Sequence, residues 1–416
     1  MKIAILTMGT RGDVQPYAVL GKALQSRGHE VTISTAKNFE SLVNSYGIGF
    51  QPVEADFQEV LASDEGKKMM KANLFAIKRN LKKWVYPLIK NSLSIFYTLA
   101  KDSDIVLYHV KTLADAFADQ FPEKMIRASL LPIVEPTKEF ANPALSGIPI
   151  PKFMNRLSFK LANASIKLLS KPIGEFRANF NLPKKYQVPE VKNIYNLSEL
   201  FLQRPKDYPD SSQFSGFWFE KTEEELSDDL QEFLEKGDSP LLVTFGSMPF
   251  KCKFDLQEAI LKLSTQLNVR FVIVKGWGFD STENLENNFD IKIIDSAPYE
   301  KLFPRVKAII HHGGIGTTSE CLRAGKPFMI CPILYPIGDQ AFWGKVSCEI
   351  GLAVKPVPLG KMTERSFLES VKDLLTNEER YEKAIQLKLE LDKENGIQKT
   401  IEKIESIFVE GFDKMK

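Results

Sequence analysis

A short apolar strand that runs straight into glycine and then into a helix occurs twice in this chain, and no other feature restricts the fold as strongly. The first copy is residues 2–8, followed by Gly9-Thr10-Arg11-Gly12, a helical pattern over 14–27 and a second strand at 30–35. The other is residues 240–245, followed by Gly246-Ser247, a helix at 255–267 and a strand at 270–276. Brief apolar runs bounded by glycine, alternating with 3.6-period segments, are what buried parallel strands and their crossover helices look like. Each half therefore predicts a β-α-β opening. The chain has 416 residues, more than the roughly 250–300 that one hydrophobic core holds, and two doubly wound α/β halves account for that length.

Further strands are expected at 104–109, 125–131, 291–295, 308–312 and 327–332, and long helices at 66–100, 152–180 and 378–410. Residues 132–151, rich in proline, read as loop. Residues 204–216 (RPKDYPDSSQFSG) lose periodicity and read as an interdomain linker. Domains are accordingly expected over 1–208 and 209–390, with a final segment 391–416 packing back on the first domain.

The net charge of +2 hides an asymmetry. Residues 1–215 carry 29 Lys+Arg against 20 Asp+Glu, and residues 216–416 carry 26 against 33, so the halves are +9 and −7. Residues 67–90 hold eight basic side chains, none acidic, interleaved with apolar ones, which reads as a solvated helical face or as peripheral contact with anionic lipid. No apolar run reaches the ~18 residues that span a bilayer, and residues 3–6 are too short for a secretory leader, so a cytoplasmic protein is expected. The four cysteines (Cys252, Cys321, Cys331, Cys348) form no C-x-x-C pair and are expected to be reduced thiols.

Gly9-Thr10-Arg11-Gly12 is not the dinucleotide fingerprint, and the second strand ends without the acid that would hold a ribose diol, which argues against a dehydrogenase. The informative block is HHGGIGTTSECLRAGKPFMICP at 311–332, followed by Gly338-Asp339-Gln340. A strand ending in histidines, then glycines and small hydroxyl residues opening a helix, makes an anion site: the backbone can approach closely and free N–H groups point at phosphate. Thr317 and Thr318 are placed to cap that helix, and Glu320, expected in its first turn, to accept hydrogen bonds from a ribose. A nucleoside diphosphate fits these groups.

This block resembles the donor-binding signature of family-1 glycosyltransferases of the GT-B fold, and most of all the branch of sterol glucosyltransferases and bacterial macrolide or glycopeptide glycosyltransferases. MGTRGDVQPYAVLGKALQSRGHEVTIST (8–35), SGFWF (215–219), VTFGSM (243–248), VKGWG (274–278) and LFPRVKAIIHHGGIGTT (302–318) are similar to that branch in the same order. The resemblance implies two Rossmann-like domains facing across a cleft, the first binding the acceptor and the second the nucleotide sugar, with a C-terminal helix crossing back. It implies donor contacts from Ser247, Trp277, His312, Gly314, Gly316, Thr317 and Glu320, with Asp339 and Gln340 on the sugar hydroxyls. UDP-glucose is the expected donor substrate, with no cofactor and no metal. The expected acceptor is a hydrophobic phenol, sterol or terpenoid alcohol; a lipid acceptor at a membrane, or a dTDP-deoxysugar donor, is the alternative. No nucleic acid is expected as partner, and a monomer is the default.

Transfer requires a base for the acceptor hydroxyl and stabilisation of the departing diphosphate. The resemblance assigns the first to Asp13, with His109 at the end of the 104–109 strand as its partner in a dyad. His311 is expected to be a packing residue. A single displacement inverts the donor's α configuration to a β-glucoside.

Overall fold

The computed structural model describes residues 1–54, 85–246, 250–276, 282, 284–286 and 288–414. It contains two all-parallel sheets. The first is built from β1 (Lys2–Leu6), β2 (Glu30–Ala36), β3 (Gly49–Val53), β4 (Ile105–Tyr108), β5 (Met125–Ser129), β6 (Lys192–Tyr195) and β7 (Ser212–Phe214), in the order β3-β2-β1-β4-β5-β6-β7. The second takes β8 (Leu241–Thr244), β9 (Phe271–Val274), β10 (Ile291–Ile294), β11 (Ala308–His311), β12 (Phe328–Ile330) and β13 (Ala353–Val354), in the order β10-β9-β8-β11-β12-β13. The register runs Ile3↔Ile105 and Leu6↔Tyr108 in the first sheet, and Ala308↔Leu241 and His311↔Thr244 in the second.

Both orders reverse at the strand that opens the half. Chain direction switches between β1 and β4, and again between β8 and β11, and a crevice opens beyond the carboxyl ends of such strand pairs. The central strands β1, β4, β8 and β11 are buried along nearly their whole length, as Ile3–Leu6, Ile105–Tyr108 and Leu241–Thr244 show. That burial is why they read as unbroken apolar runs.

The expected helix over 152–180 is broken. Helix Asn155–Asn163 passes through a 3-10 stretch Ala164–Leu169 into helix Ser170–Asn179, and Pro172 sits in the first turn of the last, where its missing N–H costs little. The expected helix over 378–410 is likewise two, Glu378–Leu391 and Gly396–Lys414. A Cβ on Gly396 would stand 2.4 Å from the Phe217 carbonyl oxygen, so the chain turns there against the start of the second half. The final helix then buries Ile401, Ile404 and Ile407 beside Ile3, Val31 and Leu24 of the first domain. Thr400 accepts a hydrogen bond from the Trp218 indole at 2.8 Å.

The linker expected over 204–216 contains β7, which extends the first sheet beyond residue 208, so the chain leaves that sheet at Phe214. All four cysteines are free thiols. Among the described residues no helix is long and apolar enough to cross a membrane. Of the basic stretch, residues 67–84 lie outside the described residues.

Candidate active site

Helix Arg11–Ser26 starts directly beyond β1, and Asp13 is its third residue. The side chain turns back under the helix start rather than capping it from outside. The Thr10 N–H donates to Asp13 Oδ2 at 2.9 Å and the Thr10 hydroxyl to the same oxygen at 3.2 Å. Gly9 makes room for this: its φ of 140° favours glycine, and a Cβ there would lie 2.2 Å from Asp13 Oδ2. Asp13 as a whole is only 7% exposed.

The expected dyad with His109 is not hydrogen-bonded. His109 is fully buried, packs its ring 5.9 Å from that of Tyr17, and has no hydrogen-bond partner on either ring nitrogen among the described residues. Burial lowers its pKa to about 4, which leaves it neutral near pH 7. Lys111 takes the place foreseen for it: the ammonium donates to Asp13 Oδ1 at 2.5 Å. The 3-10 turn Val110–Thr112 carries it back to the cleft, with the Thr112 hydroxyl tied to the His109 carbonyl at 2.7 Å. Burial acts to raise the Asp13 pKa, but the Lys111 charge, the electrostatic influence of His109, and the Lys111 and Thr10 hydrogen bonds together hold it below the ordinary carboxylate value. Sequence reasoning missed Lys111. Its only signal was a lysine three residues past the end of the strand that borders β1.

Across the cleft, β11 ends at His311 and helix Ile315–Ala324 begins after the glycines, with Gly314 as its N-cap and no side-chain cap. The first N–H groups of such a helix have no partner within it and carry the positive end of the helix dipole. Thr318 turns inward, its hydroxyl bonded to the Gly314 carbonyl at 2.9 Å, and so leaves those amides open, contrary to the expected capping role. Thr317 is half-buried and Gly316 exposed at the same end. A Cβ on Gly314 would lie 2.7 Å from His312 Nε2, so the glycine lets the imidazole lie along the helix start. Burial lowers the His312 pKa to about 4, and its buried Nδ1 has no partner among the described residues. His311 packs on Phe328 with its Nδ1 accepting from the Gly313 N–H at 3.2 Å, the packing role expected of it.

Glu320 lies one turn further along this helix than expected, in the second turn, 3.5 Å from Arg323. Burial raises its pKa to about 7 against the pull of Arg323, with Glu300 and Glu220 adding to the rise. Asp339 caps helix Gln340–Glu349 and accepts from the Trp343 indole at 2.8 Å. Burial raises its pKa, the Trp343 bond and Lys111 oppose, and Asp13 adds to the rise. Asp339 of the second half is thus within electrostatic reach of Lys111 and Asp13 of the first. Gln340 is buried, and its Oε1 accepts from the Ile333 and Leu334 amides at 2.7 and 2.8 Å. That oxygen shapes the loop that precedes the helix. Ser247 and Trp277 lie outside the described residues. Among the described residues no cluster of three or more His, Cys, Asp or Glu side chains is arranged to hold a metal ion.

The halves are latched beside this cleft. Gly338 N–H donates to the Ala144 carbonyl at 2.8 Å, Lys345 to the Ser146 carbonyl at 2.6 Å, and Gln15 to Glu220 at 2.5 Å.

Residues 3–103 match the glycosyltransferase family 28 N-terminal domain. The chain is 28% identical over 425 residues to a sterol 3-beta-glucosyltransferase of Komagataella phaffii, an alignment covering 96% of this chain and 34% of that protein. It is 28% identical over 403 residues to a sterol 3-beta-glucosyltransferase of Arabidopsis thaliana, covering 90% and 61%. The chain therefore spans about a third of the length of the fungal relative. Among solved structures, it superposes on the glycosyltransferase of kitacinnamycin with a TM-score of 0.72 at 17% identity, covering 98% of both chains. It superposes on the calicheamicin glycosyltransferase CalG4 with a TM-score of 0.71 at 15% identity, again over 98% of both.

Proposed function

From a chain that has the GT-B fold and carries the glycosyltransferase family 28 N-terminal domain, we infer that the protein is a glucosyltransferase that moves glucose from UDP-glucose to the hydroxyl of a sterol or a similarly apolar alcohol, with inversion at the anomeric carbon. The observation that carries this reading is the buried Asp13 carboxylate, kept ionised by Lys111 at the β1/β4 switch point and set opposite Asp339. Similarity to sterol 3-beta-glucosyltransferases over almost the whole chain supports the acceptor class and the sugar.

In this mechanism Asp13 accepts the proton of the acceptor hydroxyl as that oxygen attacks the anomeric carbon. The new C–O bond forms as the bond to the diphosphate oxygen breaks, and UDP departs with the electron pair. A carboxylate with a depressed pKa is a weak base, so the transfer is coupled to bond formation, when the hydroxyl becomes strongly acidic. Charge gathering on the diphosphate meets the open amides of helix Ile315–Ala324, the Thr317 hydroxyl and His312. Asp339 holds sugar hydroxyls and Glu320 the ribose, and Ser247 and Trp277 complete the donor side. His109 acts on Asp13 through space. No step asks for a metal, and a single chain supplies both halves of the site, so a monomer suffices.

The test is product formation, followed by mass spectrometry, from UDP-glucose, UDP-galactose and dTDP-glucose with sterol and phenol acceptors. Asp13→Asn is expected to lower turnover by about 10²–10⁴-fold while UDP binding persists. A near-wild-type rate in that variant would remove Asp13 as the base, and a preference for dTDP-glucose would overturn the donor.

A further inference from the structure

Helix Asn155–Asn163 is packed inside out. Its buried face consists of Asn155, Ser158 and Phe159, with Asn155 bonded to the Lys138 carbonyl at 2.8 Å and Ser158 accepting from the Asn142 amide at 2.7 Å. Its solvent face carries Leu157 (45% exposed) and Leu161 (56%), in line with Phe153 (87%) one turn before and followed by Ile166 and Leu168. Spacing of four residues puts Phe153, Leu157 and Leu161 along one stripe. Single exposed apolar residues are ordinary, but a contiguous group on one short segment marks a contact surface.

The charge around the stripe selects the partner. Residues 140–174 contain five basic side chains (Lys152, Arg156, Lys160, Lys167 and Lys171) and no acidic one. Arg156 is paired with Asp207 at 3.3 Å and Lys171 reaches Glu175 at 3.8 Å. Lys152, Lys160 and Lys167 are exposed and make no ion pair among the described residues. Apolar side chains flanked by unpaired lysines match a bilayer with anionic headgroups, since a lysine stem can cover apolar surface while its ammonium stays among the phosphates. A second copy of the chain would bring the same positive surface against itself.

We propose that the face formed by residues 152–168 docks on anionic membranes, with Phe153, Leu157 and Leu161 entering the headgroup boundary and Lys152, Lys160 and Lys167 contacting phosphates. The inner side of the same helix leads to the cleft. Phe159 packs on Phe140 with ring centroids 6.4 Å apart, and Phe140 on Phe342 at 5.2 Å, in the helix that Asp339 caps. Docking on this face sets the cleft beside the lipid.

The experiment is co-sedimentation of the full chain, without donor or acceptor, with phosphatidylcholine vesicles made with and without phosphatidylglycerol. It is independent of the reading of the cleft. Binding is expected only to the anionic vesicles and is expected to weaken with salt. The triple variant Lys152→Gln/Lys160→Gln/Lys167→Gln should lower partitioning about a hundredfold, since each basic side chain at an anionic surface contributes about fivefold. Phe153→Ser/Leu157→Ser/Leu161→Ser should abolish binding with an unchanged thermal transition. Wild-type binding retained in both variants, or no binding by the wild type, overturns the proposal. So does a wild-type dimer that the serine variant converts to monomer, which would assign the face to a second copy.

Discussion

Replacing Lys111 with methionine removes the ammonium from Asp13 while keeping an unbranched side chain of similar length. A hydrogen bond between charged groups is worth about 1.5–3 kcal/mol, and this one is 2.5 Å long on a carboxylate that is 10% exposed. The Lys111 side chain is 44% exposed, so water and salt screen the pair, and a figure just below that range, about 1.4 kcal/mol, is appropriate. That corresponds to about one pH unit in the ionisation of Asp13. Because Lys111 and the other nearby groups hold the pKa of Asp13 down against burial, removing the ammonium moves it up. Transfer needs the ionised form, so the acidic limb of kcat/KM against pH should move up by about one unit, with little change on the plateau above it. Stability carries the same sign. The depressed pKa stabilises the fold above the unfolded carboxylate range, near pH 3.9, and the contribution is lost as pH falls through the folded value. The variant should therefore lose about 1 kcal/mol at neutral pH and converge with wild type in acid. Lys111→Arg should keep the limb in place. An unmoved limb with a plateau lowered more than tenfold would refute the reasoning, because Lys111 would then act on the leaving diphosphate instead of on Asp13.

Three other sites give sharp expectations. Gly314→Ala places a methyl 2.7 Å from His312 Nε2, and by displacing the imidazole should weaken UDP binding about tenfold; calorimetry showing wild-type affinity would take His312 off the phosphates. Glu320 has a pKa raised to about 7 and must ionise to accept from both ribose hydroxyls, so UDP affinity should fall by up to about tenfold for each pH unit below about 7. Glu320→Gln should flatten that dependence, and a profile unchanged by the substitution would assign it elsewhere. Arg177, 1% exposed, bonds Asp119 at 2.8 and 2.9 Å and the Ala116 and Pro183 carbonyls at 2.7 Å. Arg177→Met should cost about 3 kcal/mol or more in urea denaturation because it strands a carboxylate and two carbonyls, and a loss below about 1 kcal/mol would show that water replaces the guanidinium.

The parts of the fold legible in the sequence are those where one physical demand dominates. β1, β4, β8 and β11 are buried on both faces along nearly their whole length, so almost every position is apolar and the run announces itself. β7 (Ser-Gln-Phe) and β13 (Ala-Val) are edge strands of three and two residues, too short to show a period, and β7 sits in a polar stretch that otherwise looks like a linker. The helix breaks were carried by residues whose meaning depends on what they meet. Asn395 caps the last helix by accepting from the Gln398 amide at 3.0 Å, and Gly396 is required there because of the Phe217 carbonyl. The cap is local but carries no apolar period, and the Phe217 contact is far off in sequence, so periodicity alone ran the helix through both.

The site divides in the same way. His312, Gly314 and Asp13 stand beside strand ends, where the backbone itself fixes their direction, and the pattern of strand, glycine and helix start is local. Partner choice is not local. His109 and Lys111 both follow β4, and the sequence offers no way to tell which returns to the cleft. The turn Val110–Thr112 decides it, followed by Leu113 in the left-handed region at φ 59°. That geometry folds Lys111 back over the carboxylate and leaves His109 behind it against Tyr17. The outcome also follows from charge. A carboxylate this deeply buried needs a cation or several donors to remain ionised, and a histidine buried without partners is itself driven neutral, to a pKa of about 4. Only the lysine, its side chain still 44% exposed, supplies the charge without incurring the same desolvation.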